Sequence, residues 1–482
     1  MKKFIYTLCL SLCATAAGLQ AQTTLTLQQA RSQALEHNKK IASAQAQVEK
    51  LGYDAKAVKA NFFPNFSATA IDFYNTGKYS LAPRINDLIS EGITNGATAI
   101  GSTIAGYLTD LTPEQQQAIM SQLAQGAQGL AQVLKLDDNA VDFKIGNVFN
   151  GGISVYEPLY MGGKINTGYK MTQLGQKMAQ KNVQLTEQEV ILSTDEAYML
   201  CIKAKELGEV AKSYKALLEE LKKNVDGAVR HGMKTRNDAL KVEVKLNEAD
   251  LNIVKADNGL RLAQMNLAQV VGLPLTEKIE VSTEGLYDVQ PVEDKNGDIS
   301  ARPEVSILAD KTEMARLNVK LTRAEFLPSL LAGASYSYTN GVKLMDQTIF
   351  KRGNATVGVV LQVPLYHFGE GRNKINSAKA SYKMAQFEED ELKEKMQLEQ
   401  MQAYNNVTEA ATEIEITEKS VASAEANMKT SKAQYEVGTE PLSDYLEAQT
   451  MWQQACSQAV EARCKYFVAY SKYLKTCGDL NK

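Results

Sequence analysis

Asp444 and Glu447 stand three residues apart, so on a helix both carboxylates face the same way. Asp238 follows Thr235 by three, the spacing of a capping box, in which a hydroxyl and an acid satisfy each other's backbone N–H groups. Asp444 falls in a first helical turn, where the macrodipole favours an acid. Beyond these carboxylates the chain is poor in groups that do chemistry. It has no GxSxG elbow, Walker A loop, CxxC pair or HExxH helix. Gly369-Glu370-Gly371 reads as a strand-to-helix turn rather than a nucleotide loop. The three histidines, His37, His231 and His367, are scattered, and six cysteines in 482 residues are too few for a disulfide scaffold. Cys456 and Cys464 lie eight apart on a predicted helix, too far along its axis to pair at a rise of ~1.5 Å per residue. No catalytic site, metal or cofactor is expected. Lys and Arg total 53 against 56 Asp and Glu, which gives no support to a nucleic-acid-binding surface.

The first residues read as an export signal. Lys2 and Lys3 precede a short, mostly apolar run from Phe4 to Leu19, and Leu19-Gln20-Ala21 suits cleavage before Gln22. Residues 1–21 are therefore expected to be removed. Cys13 follows Leu12, where a lipoprotein signal wants a small residue. No later run of 18 apolar residues occurs, so the mature chain should carry no transmembrane helix. Entry into a membrane would have to be as β-strands.

The elements that hold the carboxylates come from a duplication. Pro158-Leu159-Tyr160 recurs as Pro364-Leu365-Tyr366, and Gly163, Gly232, Asp238, Leu240 and Gly272 recur as Gly369, Gly438, Asp444, Leu446 and Gly478, all at an offset of 206. Upstream, Ala60, Pro64, Tyr74 and Gly77 match Ala324, Pro328, Tyr338 and Gly341 at 264. The first copy therefore contains an insertion, at about 78–144, in a repeat spanning 22–274. A linker at 275–301 precedes the second repeat at 302–482. Each copy reads as helix, strand, loop, strand, long helix, turn, helix. In the second copy Leu330, Ala332, Ala334, Tyr336 and Tyr338 alternate with largely small or polar residues, as do Val357, Val359, Leu361, Val363 and Leu365. This is the pattern of a half-exposed strand, either membrane-spanning or packed on helices in water. From Lys164 to Val225 and from Arg372 to Tyr435 the chain is free of proline, which predicts helices roughly 90 Å long at ~1.5 Å per residue. Gly232 and Gly438 mark the turns that reverse each long helix. In the insertion Thr112, Pro113 and Gln115 start a helix on which Ile119, Leu123, Ala127, Leu130 and Leu134 share a face. The insertion reads as an extracellular cap or, the favoured reading, as a surface embellishment without a part in transport.

Leu25-Thr26-Leu27-Gln28-Gln29-Ala30 with Ala34-Leu35 and Asn38, Phe63-Pro64 and Leu327-Pro328, the two Pro-Leu-Tyr sequences, and the turns Gly232–Leu240 and Gly438–Leu446 occur in one order. Together they resemble the TolC-like outer membrane efflux protein family over nearly all of the mature chain except the insertion. The resemblance implies a mixed α and β membrane protein: a homotrimeric 12-stranded β-barrel, four strands per protomer, set in outer membrane lipid. A long periplasmic α-helical barrel would continue it, with the linker and chain ends in a belt around its middle. It implies a gated exit duct that works with a periplasmic adaptor and an inner-membrane pump. Asp444 and Glu447 would ring the periplasmic entrance with Asp238 as first-copy counterpart, attracting cations and repelling anions. Tyr435 would tie neighbouring helices in the closed gate, and Gly232 and Gly438 would form the tips that meet the adaptor. Glu440 and Pro441 stand where some members differ, with Lys234 at the matching first-copy place, so the family's closed-state bonding is not transferred. The competing readings are a non-conducting trimeric coiled-coil stalk and an exported enzyme, the latter without a visible catalytic cluster.

Overall fold

The computed structural model describes residues 23–74, 78–79, 82–107, 113–134, 143–283, 289, 292–295, 297–344 and 347–480. The export signal, Thr112 and the side chain of Ile119 lie outside the described residues. β1 (Thr23–Leu25), α1 (Leu27–His37) and α2 (Lys39–Ala60) lead into β2 (Asn65–Tyr74). The insertion follows as β3 (Lys78–Tyr79), α3 (Ala82–Tyr107) and α4 (Pro113–Val133), and β4 (Phe143–Met161) returns from it. Then come α5 (Lys164–Arg230), α6 (Arg236–Val271), β5 (Ile279–Val281), α7 (Pro303–Ala324), β6 (Ser329–Leu344), β7 (Gln347–Gln362), α8 (Glu370–Glu436) and α9 (Leu442–Cys477). Paired helices have equal lengths: 22 residues in α2 and α7, 67 in α5 and α8, 36 in α6 and α9. A 67-residue helix is about 100 Å long. No described helix is long and apolar enough to cross a membrane.

Two compact units emerge, and each draws on both sequence copies. One takes in the segments up to Ala44, from Val183 to Val305 and from Lys393 onward; the other takes in Gln45–Asn182 and Ser306–Leu392. The first unit gathers the chain ends and the linker. β1 pairs in parallel with β5. The buried Tyr198 hydroxyl lies 2.8 Å from the carbonyls of both Leu25 and Ser282 and accepts from Ser282 N–H. Val190, Ile202, Leu267 and Val271 pack beneath. Near the other terminus, the Tyr473 hydroxyl donates to the Glu293 carbonyl and accepts from Lys295 N–H. Cys201 and Cys464 are free and buried; burial pushes their thiols up to about 12 and about 11, so they pack as inert apolar groups.

The second unit holds the sheet, ordered β2-β4-β6-β7 and antiparallel throughout, with β3 also on β4. Ser67, Ser154, Ser335 and Thr356 are successive register partners across all four strands, and Ser67 and Ser154 share a 2.6 Å hydroxyl–hydroxyl bond. One residue along, Phe66, Val155, Ala334 and Val357 form the matching apolar ladder. On that apolar face Phe66, Ile153, Tyr336, Val357, Val359 and Leu361 are 55–82% exposed. The alternation predicts a last strand reaching Leu365, whereas β7 stops at Gln362. Pro364 lacks an N–H and follows an edge strand, so nothing holds it in the ladder. Pro158 stays inside central β4, beside a register shift between Pro158 and Tyr160.

The insertion does not stand clear of this sheet, as a cap beyond the strands would. Its ends enter in register, Lys78 opposite Lys144 and Tyr79 opposite Phe143. α4 then runs back to the end of the sheet where the helices attach. The Gln122 side-chain amide donates to the Glu325 carbonyl and accepts from Lys164 Nζ at 3.1 Å. Leu123 packs against Met171, Leu317 and Leu321 of α5 and α7.

The buried ion pair in the first unit carries a measurable share of stability. Arg31 Nε and Nη2 each donate to Asp195 at 2.7 Å, and Asp195 is fully buried. Arg31→Ala leaves that carboxylate uncompensated and should cost about 3 kcal/mol, the low end of the usual range because Arg31 is partly exposed. Arg31→Lys keeps the charge without the two-pronged geometry and should recover only part of the loss. Thermal unfolding followed by circular dichroism in detergent checks both.

Candidate functional site

Both helix reversals lie in the first unit, and each is built around a glycine. α5 ends at Arg230, and Gly232 adopts φ +74°; α8 ends at Glu436, and Gly438 adopts φ +80°. A side chain at either place would meet open space, so the left-handed backbone alone accounts for glycine here. Five-residue turns then deliver α6 and α9. Thr235 caps α6 in a full capping box with Asp238: Asp238 N–H donates to the threonine hydroxyl, and Thr235 N–H and Oγ1 donate to Asp238 Oδ2 at 3.1 and 2.8 Å. The Thr235 hydroxyl holds the Asp238 carboxyl below its usual range, helped by Lys241 and Lys234.

In the second copy Pro441 takes the place of Thr235 and caps without a side-chain hydrogen bond. Asp444, freed from that duty, is exposed in the first turn of α9 and accepts from the Ser443 hydroxyl at 2.7 Å. Glu447 is exposed one turn on. Among the described residues neither carboxylate pairs with a cation. The counterparts of Glu440 and Glu447 in the first copy are Lys234 and Lys241. One reversal thus carries an excess of cations, Arg230, Lys234, Arg236 and Lys241 around Asp238, and the other a concentrated acidic patch.

A small aromatic cluster joins the two reversals. Tyr435, near the end of α8, stacks on Tyr445 of α9 at 5.6 Å between centroids, and Lys234 Nζ lies 4.7 Å from the Tyr435 ring centroid. Burial raises the Tyr435 hydroxyl, and the nearby Asp238 carboxylate raises it further. Lys432 pairs with Glu220 at 2.9 Å between α8 and α5. Beneath lie Leu218, Leu221, Val225, Val242, Leu442 and Leu446. The structure therefore brings Tyr435 together with Asp238 and Lys234, and leaves Asp444 and Glu447 on open helix surface.

Tyr445 and Ser431 are members of the cluster that the sequence motifs do not point to. Ser431, buried, donates to Glu440 Oε1 at 2.8 Å, while Glu440 Oε2 is buried without a hydrogen-bond partner among the described residues. Laying the copies over one another at 206 gives the signal: Ala239 and Val229 stand where the second copy has Tyr445 and Tyr435. Among the described residues no group of His, Cys, Asp and Glu could hold a metal ion.

Tyr435→Ala removes a ring stack and a cation–π contact, each worth about 0.5–1.5 kcal/mol. Hydrogen exchange of the amides at 431–446 should speed up roughly 5- to 100-fold. Adding Lys234→Ala to that variant should change little more, because its partner ring is already gone. The cap makes a separate prediction. The Asp238 carboxyl titrates below its unfolded value of about 3.9. Its contribution is therefore complete above that pH and is lost as the pH falls through the depressed folded value. Amide protection at the start of α6 should drop in that acidic window in the wild type and should not show this drop in Asp238→Asn.

The family profile described as outer membrane efflux protein matches residues 299–471, which contain the second reversal with its acidic patch. The alkaline protease secretion protein AprF of Pseudomonas aeruginosa is 24% identical over 304 residues, 61% of this chain and 62% of that protein, so the chain matches less than two thirds of that relative's length. Outer membrane protein TolC of Vibrio cholerae is 22% identical over 313 residues, 64% of this chain and 71% of that one. The outer membrane protein VceC of Vibrio cholerae has the same fold at a TM-score of 0.71 and 13% identity, with 94% of this chain and 96% of that chain covered. The two-faced sheet, the duplicated 67-residue helices and the match over the second copy together make the chain similar to outer membrane efflux proteins in fold and, over residues 299–471, in sequence.

Proposed function

We propose that the protein is the outer membrane exit duct of a tripartite efflux or secretion system, a gated pore that receives its cargo from an inner-membrane pump through a periplasmic adaptor. The observation that carries this reading is the sheet. Its apolar face is exposed, and the outer edges of β2 and β7 are unpaired among the described residues. In hydrocarbon an open edge leaves backbone groups unsatisfied, so such a sheet spans a bilayer only when copies close it into a barrel. Three copies of four strands give the 12-stranded barrel that the family resemblance implies. Exposed Phe63, Tyr160, Leu365, Tyr366 and Phe368 cluster where strands meet helices, the place of an interfacial aromatic girdle.

The helices supply the matching assembly surface. Leu240, Val244, Leu251 and Val254 leave 50–65% of their area exposed along α6, at the alternating spacing of a helix-packing seam. A neighbouring protomer covers it in the trimer. Three copies of Asp444 and Glu447 then set six carboxylates around one axis, with Asp238 of the first copy behind them. Mutual repulsion opposes closure, and the Tyr435 cluster opposes opening. Gly232 and Gly438 form the tips that the adaptor grips. AprF is named for secretion of an alkaline protease; in this protein the docked pump chooses what enters.

Single-channel recording in planar bilayers tests this. The wild type should give cation-selective steps, and Asp444→Ala/Glu447→Ala should keep conducting with selectivity reduced several-fold. A folded, silent wild type would replace the duct with a trimeric stalk. Selectivity unchanged in the double variant would keep the duct and remove these carboxylates from its entrance.

A further inference from the structure

The two faces of the sheet have different fates, and the inserted helices have taken one of them. α4 lies on the small and polar face. Gln125 Oε1 accepts from Gln362 Nε2 at 3.0 Å, and a Cβ built on Gly129 would sit 3.7 Å from Val360 Cγ1. Val360 and Gln362 alternate with Val359 and Leu361 of the exposed apolar face, so α4 is on the opposite side from it. At that distance a Cβ would be in ordinary van der Waals contact, so α4 lies directly against the strand. Toward the helical end of the sheet, Gln122 uses both ends of its amide, giving to the Glu325 carbonyl and taking from Lys164. Leu123 docks on Met171, Leu317 and Leu321. α3 packs along α4. These anchors hold α4 by its polar and its apolar side at once, which an ornamental surface helix does not need.

The apolar face must meet lipid, so the face under α4 is the inside of the barrel; the argument rests on the duct reading above. We propose that α3 and α4 form a lumenal plug, a second constriction where the sheet meets the helices, that limits the size of what leaves the duct. Each helix is roughly 10–12 Å across with its side chains, and symmetry places three such pairs in one lumen. Six helices of that width take up much of the cross-section of a 12-stranded barrel, whose diameter grows with strand number. Charge at Asp444 and Glu447 and bulk at α4 are then separate filters.

Two measurements test this, one of position and one of passage. Gly129→Cys/Val360→Cys should form an intramolecular bridge, as a disulfide or across a short bismaleimide, in native outer membranes. Absence of that bridge in a folded trimer would overturn the plug. Replacing 82–134 by a short Gly/Ser linker should raise single-channel conductance several-fold and admit larger polyethylene glycols. Should that variant fail to assemble, Gln122→Ala/Gln125→Ala, which cuts the polar anchors alone, should raise the polymer size limit in the same direction. A conducting wild type whose size limit is unchanged in the assembled variants would overturn the constriction and leave the duct intact. Silence of the wild type and every variant, with the bridge formed, would overturn the duct and the constriction with it while α4 remained seated on the sheet.

Discussion

The backbone N–H and C=O groups along the outer edges of β2 and β7 have no partner among the described residues of the chain, and in a bilayer each orphaned group would cost several kcal/mol. Much of the remaining design follows from removing that deficit. Closure by further copies needs strands of compatible length and register, and the ladder from Ser67 to Thr356 runs unbroken across four strands. Closure also separates an outside from an inside. In the proposed barrel, hydrocarbon would cover the exposed apolar Val357, Val359 and Leu361, and water or protein the small and polar Ser154, Ser335 and Thr356.

Duplication supplies the scaffold, and divergence between the copies supplies the chemistry. Helices of equal length at constant offsets show that the backbone plan was kept in both copies. The side chains at the reversals were not. Thr235 binds Asp238 into a cap, so that acid is engaged; Pro441 cannot do the same for Asp444. Lysines at 234 and 241 make the first reversal cationic, whereas glutamates at 440 and 447 load the second with acid. In the proposed trimer the ring of reversals would therefore be acidic at every second helix pair rather than uniformly.

Helix length, reversal points and the two glycines were legible in the sequence because proline, glycine and caps act locally. The two faces of the strands were legible because alternation has a fixed period. The extent of β7 was not, since Pro158 and Pro364 sit in identical Pro-Leu-Tyr contexts and differ only in whether a strand lies on both sides. The direction of the insertion was not either. Periodicity puts Leu123 and Ala127 on one face of α4, and nothing local says which surface that face meets. The anchors, Gln122 to Glu325 and Gln125 to Gln362, join residues about 200 or more positions apart. Tyr445 and Ser431 escaped for a similar reason: a stacked ring and a buried serine have no motif, and only comparison of the copies singles out the tyrosine.

The contacts at the reversals differ in strength from those that hold the chain ends and the linker. Asp195 and Tyr198 are fully buried, and breaking either partnership strands a polar group away from water. At the reversals the Tyr435 stack, the Lys234 contact and the Lys432–Glu220 pair are partly exposed, each worth about 1.5 kcal/mol at most in such a setting. Their sum is a few kcal/mol, the range in which a docking partner can shift a two-state equilibrium by differential binding. In the duct proposed above, the carboxylates of three copies would oppose these contacts, with a repulsion that grows as the reversals approach one another. A gate balanced in this way would open by separating surface contacts while the buried anchors stay formed, so conduction would not need to be coupled to unfolding.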